Sequence, residues 1–421
     1  MDLPLRVLSR STLNASVGRG PDERIFASRR RTYPLLAEKR QRKQAAVAGL
    51  CGITEEYLSQ IERGLKIPSL PVLQALATEL GVPISALLSE KRNELLAENA
   101  HVADSVVTAL MGYGPRDTSQ PVALAELRER VELAWRIWQT SPKRFTEAAS
   151  VLPALIVDTE DAIRAHRLGS DSGTRRDVLR TAADLYFMLR SYCRRAGRVD
   201  LSLMVADRAL RAAEDADDPI RLAAAQWNLG HVLLADGEYE GAEQIALRGI
   251  EGLRALPENA DVVAMAGELE LVAVVADARR KQWWQARERL SDNAAPRAQR
   301  IGEGNTMWTV FGPTNVELHA VSIEMEAGEA AEALRVADQI DTVHLPSMER
   351  RFTFLLEVAR CYDLRREDPA VLVHLLDLEQ IAPEDLARNP LAQDMVTRLR
   401  RRVRPTYRRQ VDALAERLSL V

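Results

Sequence analysis

The chain predicts an all-α protein, with a small N-terminal bundle of five short helices followed by a long array of paired helices. Three observations carry this. From residue 34 onward apolar residues recur at spacings of three and four, and no stretch alternates apolar and polar as a half-buried strand does. Capping residues and glycines divide residues 34–90 into short helical pieces. Beyond residue 122 a turn residue, with a bulky residue two places on and a small one five places on, returns at intervals.

Taken in order, residues 1–32 show no periodicity and end in Arg29-Arg30-Arg31, so a disordered basic arm is expected there. Pro34 can open the first helix, and a second begins near Gln44 with Val47 and Ala48 on one face. Cys51-Gly52-Ile53 makes a turn, where glycine relieves steric clash. Thr54 caps the third helix, which carries Tyr57, Leu58 and Ile61 and stops at Gly64. Ser69 caps a fourth, with Leu73, Leu76 and Ala77 on one face and Gly81 as its end, and Ser85 caps a last turn. Val47, Leu58, Ile61, Leu73 and Leu76 are the expected core.

The residues Gln44-Ala45-Ala46-Val47-Ala48, Gly52-Ile53-Thr54, Leu58-Ser59-Gln60-Ile61-Glu62-Arg63-Gly64, Pro68-Ser69 and Leu80-Gly81-Val82 resemble the repressor/Cro-like, XRE-type helix-turn-helix domain. That resemblance implies that the third helix enters the major groove of DNA, presenting Thr54, Glu55, Glu56, Tyr57 and Gln60. It also places Gln44 against a phosphate and behind the recognition helix. Arg40, Arg42, Lys43, Arg63 and Lys66 are candidate phosphate partners. Gln60 is the expected base reader. Glu55 and Glu56 are open to two readings: acids favoured by the helix dipole and turned from the bases, or acceptors from cytosine N4. Charge agrees with a DNA-facing head: residues 1–92 carry a net +6 and the remainder −10.

Residues 91–121 read as a linker, with a helix over 91–112 that could also be a dimer contact, and a loop from Gly112 to Pro121. From 122 to 421 the chain reads as repeats. The clearest runs through Trp227, Leu229, Gly230 and Leu233 to Gly237, Tyr239, Ala242 and Ala246, which are tetratricopeptide features. Weaker copies fit Lys143-Phe145-Ala148, Gly197-Val199-Ser202, Lys281-Trp283-Ala286, Gly328-Ala330-Ala333 and Arg366-Asp368-Val371. Their spacings of 54, 40, 44, 47 and 38 residues all exceed the roughly 34 of the family repeat. The expectation is about six hairpins in a right-handed α-solenoid of degenerate tetratricopeptide-like repeats.

Head and array together resemble the long regulators of high-GC Gram-positive bacteria and, in architecture, the peptide-pheromone receptors of Gram-positive bacteria. The resemblance implies a groove lined by the first helix of each pair. Trp227, Asn228 and His231 fall there, as do Phe187, Ser191 and Arg194, then Asn315, His319 and Ser322, then Glu357 and Arg360. Asparagine can pair with an extended backbone and arginine with a carboxylate. Trp227 and Phe187 can equally be packing residues between repeats.

Other classes find no support. There is no GxxxxGK[ST], HExxH or GxSxG, and the six histidines are dispersed, so neither catalysis nor a metal or other cofactor is expected. The apolar run Leu271–Ala276 is far short of the roughly 18 residues of a membrane span. Cys51, Cys193 and Cys361 suit buried hydrophobes in a reducing cytoplasm. Seven arginines between 398 and 409 read as a solvated face, a partner contact or a DNA contact. The function expected is a sequence-specific transcription regulator, a homodimer on a double-stranded operator, whose array senses a peptide, small molecule or protein. The alternative is a protein-interaction adaptor whose head docks proteins.

Overall fold

The computed structural model describes residues 44–63, 65–66, 68–80, 104–113, 122–167, 171–343 and 345–420. Every regular element among them is helical. The chain divides into two compact units, Met1–Leu95 and Leu96–Val421. The expected basic arm, the helix opened by Pro34, Gly64, Gly81 and the turn capped by Ser85 lie outside the described residues.

In the head, α1 spans Gln44–Leu50, α2 Glu55–Glu62 and α3 Leu70–Leu80. Gly52 sits at φ +67°, a left-handed conformation that side chains with a Cβ resist, and Ile53 N–H reaches back to Ala48 O at 3.0 Å. Thr54 Oγ1 accepts from Tyr57 N–H at 3.1 Å and so starts α2. Val47, Ala48, Leu58, Ile61, Leu73, Leu76 and Ala77 form the core, which contains the five residues expected.

The body begins with α4, Asp104–Met111. Its Val106, Ala109 and Leu110 are buried in the body core, and Leu110 O accepts from Arg208 Nη2 at 3.0 Å. Of the stretch read from the sequence as linker or dimer contact, this described part packs into the body core through Val106, Ala109 and Leu110, and residues 91–103 lie outside the described residues.

Six helical hairpins follow. They are α5 (Leu124–Thr140) with α6 (Arg144–His166), α7 (Ser172–Arg195) with α8 (Val199–Asp215), and α9 (Pro219–Asp236) with α10 (Tyr239–Arg254). Then come α11 (Ala260–Arg279) with α12 (Trp283–Arg289), α14 (Pro313–Ala327) with α15 (Ala330–Ala337), and α16 (Met348–Leu364) with α17 (Asp368–Ile381). A π-turn over Leu290–Ala294 joins α12 to α13, Ala295–Ile301. Three helices close the chain: α18 (Pro383–Arg388), α19 (Pro390–Arg402) and α20 (Pro405–Arg417).

Five of the hairpin turns share one solution. Gly197, Gly237, Lys281, Gly328 and Arg366 all have positive φ, from 61° to 87°. In each, the next residue's N–H returns to the carbonyl five back: Arg198 to Cys193, Glu238 to Leu233, Gln282 to Asp277, Glu329 to Glu324 and Glu367 to Tyr362. That is the bond pattern that satisfies orphan carbonyls at a helix end. Five residues past the turn, Ser202, Ala242, Ala286, Ala333 and Val371 are fully buried, and so is Ala148 after Lys143. A small side chain there lets the helices close. Gly230 makes room chiefly for the next hairpin: a Cβ on it would meet Val272 of α11 at 2.8 Å, whereas Ile245 of its own partner helix stands at 3.7 Å.

The end of the body returns to its beginning. Arg144 at the start of α6 pairs through Nε with Asp385 of α18 at 2.9 Å and through Nη2 with the same carboxylate. Glu384 accepts from Phe145 N–H at 2.8 Å and Thr146 N–H at 3.3 Å, supplying an acid at the N-terminus of α6. The C-terminal arginines are partly consumed in the same fashion. Arg398 and Arg402 pair with Asp363, and Arg400 with Asp412 at 2.9 Å. Cys193 and Cys361 are buried and Cys51 half-buried, and burial pushes the Cys193 thiol up to about 12. No described helix is long and apolar enough to cross a membrane.

Candidate functional site

Two sites emerge, one in each unit. In the head, the turn at Gly52 and the cap at Thr54 fix where α2 begins. Thr54, Glu55, Glu56, Arg63 and Lys66 are exposed, while Tyr57 and Gln60 are half-buried. Tyr57 rests against the head core. Gln60 Nε2 donates to Glu56 Oε1 at 3.4 Å, and Arg63 Nε to Ser59 O at 3.2 Å. Glu55 and Glu56 occupy the first turn of α2, where the helix dipole favours acids. Gln44 opens α1, but its side chain lies outside the described residues, as do Arg40, Arg42 and Lys43.

In the body, a cavity of about 40 Å³ lies among the first helices α5, α7, α9 and α16 and the loop between α13 and α14. Of the sequence-predicted groove residues, Ser191, Arg194, Trp227 and His231 line it. So do Trp135, Trp138, Arg144, Arg190, Trp308, Glu349 and Arg350. Its chemistry is crowded cations over aromatic walls. Arg144 stacks on Trp138 at 4.3 Å, and Arg190 lies 5.3 Å from the Trp227 ring centroid. Glu349 takes bonds from Ser191 Oγ at 2.9 Å and Arg195 at 2.6 Å, and Arg194 stands at 3.4 Å. Burial opposes ionisation of Glu349, yet Arg195, Arg144 and Arg194 hold its carboxyl well below the usual range.

Arg190 differs from the other arginines. Its Nε donates to Asn228 Oδ1 at 2.6 Å, and no carboxylate among the described residues pairs with it. Burial first, then the charge of Arg194, lower it to about 9, which leaves it protonated at neutral pH in a site that would welcome an anion. His231 stands edge-on to Trp227 with ring centroids 4.5 Å apart. Burial and Arg190 keep this imidazole neutral.

The remaining predicted ligand residues face inward without lining the cavity. Asn228 is buried, accepting from Arg190 and donating to Ala224 O at 2.8 Å. Asn315 is fully buried and donates to Glu268 Oε1 at 2.9 Å, and its carbonyl meets His319 Nδ1 at 2.8 Å. Ser322 donates to Glu357 at 2.8 Å, and Arg360 stands 3.9 Å from Glu326. Phe187 is fully buried in the core. The first helices thus link to one another by polar rungs. The sequence positions are inner-face positions, and most of their polar groups bond to neighbouring helices and backbone, since a buried polar group left unpaired is costly; Asn315 Oδ1 is the exception among them, buried without a partner.

The sequence reading missed Arg190, Arg144, Glu349, Arg350 and the loop after α13. Arg190 did leave a trace. It interrupts α7 where Ala182 to Cys193 is buried on every face, and a charge there needs a reason. The loop left none. Met307, Trp308 and Val310 have φ of 49°, 59° and 62°, which no residue type among them announces. Trp308 stacks flat on Trp135 at 4.7 Å, and Gln139 Nε2 donates to Trp308 O at 3.2 Å. Arg350 Nη2 donates to Thr309 O at 3.3 Å. Among the described residues no group of His, Cys, Asp and Glu is placed to hold a metal ion.

Comparison with known proteins speaks to the head. A helix-turn-helix family model matches residues 36–87. No curated protein matches the chain. Among solved structures, Bacillus thuringiensis PlcR in complex with the peptide PapR7 and DNA aligns over 82% of this chain and 95% of that chain, at 12% identity and a TM-score of 0.28. A superposition that loose bears on neither the body's fold nor its ligand.

Proposed function

We infer that the chain is a sequence-specific DNA-binding transcription regulator whose body senses an effector. The observation that carries this is the head: a glycine turn at Gly52, a capped α2 with Thr54, Glu55 and Glu56 exposed, and the helix-turn-helix match over 36–87. α2 is the recognition helix, Gln60 the base reader, and Arg63 and Lys66 phosphate partners. Gln44, Arg40, Arg42 and Lys43 complete the backbone contacts. The active form is a homodimer, because one such head buries little DNA surface. Binding to promoter fragments, titrated against salt, tests this: operator affinity should fall steeply with salt and exceed that for random duplex by orders of magnitude.

A second reading is favoured by one observation. The exposed pair Glu55–Glu56 opposes phosphates, and Glu56 holds Gln60. An adaptor whose head docks a protein would show no preference for any duplex over random DNA at physiological salt.

A further inference from the structure

Positive charge is crowded into the middle of an acidic body. Residues 93–421 carry a net −10, yet Arg144, Arg190, Arg194 and Arg350 line the cavity, and Glu349 is the one carboxylate in its lining. Glu349 is already shared among Arg194, Arg195 and Ser191, and Asp385 is held by Arg144. Glu268 stands 3.5 Å from Arg350, but burial lifts it to about 7, so at neutral pH it supplies only part of a charge. Burying cations without matching anions is costly, and this cluster is short of an acid.

The deficit is sharpest at Arg190, which is 3% exposed. Its Nε donates to Asn228 Oδ1 at 2.6 Å, and among the described residues no acceptor meets Nη1 or Nη2. Those two nitrogens form the fork with which arginine grips a planar pair of oxygens. The start of α16 opens on the same space: its N-cap Ser347, with Glu349 and Arg350 of its first turn, belongs to the lining. The positive end of that 17-residue helix adds to the field of the arginines.

The walls fix the size of what can enter. The Trp227 ring is engaged by Arg190 at 5.3 Å and by His231 at 4.5 Å, and Trp135 and Trp308 cover each other at 4.7 Å. These rings hold the guanidinium and close the space rather than receive another ring. Gln139 donates to Trp308 O at 3.2 Å and Arg350 to Thr309 O at 3.3 Å, which keeps the loop in its left-handed conformations at Met307, Trp308 and Val310. At about 40 Å³ the cavity admits about three water-sized groups. That suits formate, acetate or nitrate and excludes an aromatic ring or a peptide backbone.

We propose that the cavity binds one compact planar oxyanion, a short carboxylate or an inorganic ion of the nitrate type, on the Nη1–Nη2 fork of Arg190 with Trp308 left in place. The ion supplies the negative charge that the arginine cluster lacks. It also links α7, which carries Arg190 and Arg194, to the start of α16 through Arg350. This names a ligand class for the sensing body, and it rests on the proposed function for its regulatory meaning alone.

The test uses the purified full-length chain in sodium gluconate, whose anion is too large for the space. Formate, acetate and nitrate are the probes; acetamide, pivalate and chloride are the comparators. Tryptophan fluorescence and melting temperature are read together. The probes should bind saturably at millimolar concentration, acetate more tightly than acetamide or pivalate by about tenfold or more. Chloride, which the fork cannot grip at two points, should bind severalfold more weakly. Arg190→Gln should abolish the response. Arg190→Lys, which keeps the charge without the fork, should lose the preference for planar ions over chloride. Arg211→Gln, at an exposed position, should respond as the parent does. Should Arg190→Gln fail to fold, Arg190→Lys and the selectivity of the parent decide. Tightest binding by formate or acetate makes the occupant organic and by nitrate inorganic, and either supports the site. The proposal is overturned by no saturable response at tens of millimolar, by acetamide or pivalate matching acetate, or by Arg190→Gln responding like the parent. Chloride matching the planar ions would overturn the oxyanion assignment. Operator affinity is measured separately with and without acetate: no change while acetate binds removes the sensing role and leaves the site standing.

Discussion

The head and the body use the same residue types in opposite directions. In the head, glutamate, glutamine and arginine at helical spacing stand on the outer side of α2, above a core of seven buried residues. In the body, asparagine, arginine and glutamate at comparable spacing lie on the inner faces of α7, α9, α11 and α14, bonded to each other. The three described helices of the head enclose a small interior, so the polar side chains of α2, buried Glu62 apart, remain for a partner. A stack of paired long helices has two buried sides per helix, and a polar residue there must find its partner within the chain. Spacing alone does not say which situation applies.

The largest expected effect breaks the inward half of this contrast. Arg144 is fully buried and holds Asp385, itself 3% exposed, across the junction between the start and end of the body. Arg144→Met should destabilise the body by about 3–5 kcal/mol, because it strands a buried carboxylate. Replacing both partners, as Arg144→Met with Asp385→Leu, should recover much of the loss. Urea unfolding of the full chain measures this; a single variant within about 1 kcal/mol of the parent would mean the junction is not closed.

Next comes a pH effect that the body should show and the head should not. Burial lifts Glu268 from its ordinary 4.5 to about 7, although Arg350 and the Asn315 bond pull the other way. Burial lifts Glu357 to about 7 against the bond from Ser322. A folded-state value above the unfolded one means that the native body binds the proton more tightly. The associated stability is therefore complete below pH 4.5 and is lost as pH rises through 7. Each group contributes on the order of 3 kcal/mol to this slope. Melting of the parent should fall between pH 5 and 8, and Glu268→Gln with Glu357→Gln should flatten the curve. Amide exchange resolved by region should place the change in the body; a steep curve in the double variant would assign the slope elsewhere.

How much of this could be read beforehand follows from the same contrast. Turn chemistry is local, so Gly197, Gly237 and Gly328 could be placed from sequence, and Lys281 and Arg366 by analogy with them. The head core was legible because its helices are short and amphipathic with one buried side. The cavity was not. α7 is buried nearly all round over its second half, so its sequence does not say which side faces the cavity, and Arg190 was passed over for Arg194. Contacts such as Ser191–Glu349 and Arg144–Asp385 join residues far apart in the chain, which repeat spacing does not encode. Trp308 enters the site through backbone conformations that its sequence does not signal.

The outward half is sharpened by Gln60→Ala. Its long bond to Glu56 at 3.4 Å is exposed and easily exchanged for a base edge. Operator affinity should fall by about 1–3 kcal/mol, with affinity for random duplex nearly unchanged. Equal losses on both would remove Gln60 as a reader and favour the adaptor.

The smallest effect separates cap from contact at Thr54. Its Oγ1 is used as an acceptor by Tyr57 N–H, while its hydroxyl proton stays available to a phosphate. Loss of the cap in Thr54→Ala should cost about 1 kcal/mol of head stability, and water at this exposed site offsets part of it. Thr54→Ser keeps both bonds and should restore stability and DNA affinity together. Thr54→Gly distinguishes the roles, since glycine is tolerated at the cap within a few tenths of a kcal/mol but offers no hydroxyl. Head stability near the parent's, with weaker binding to every duplex tested, would make Thr54 a backbone contact as well as a cap. Unchanged binding would leave it a cap alone, and the outward surface of α2 would then begin at Glu55.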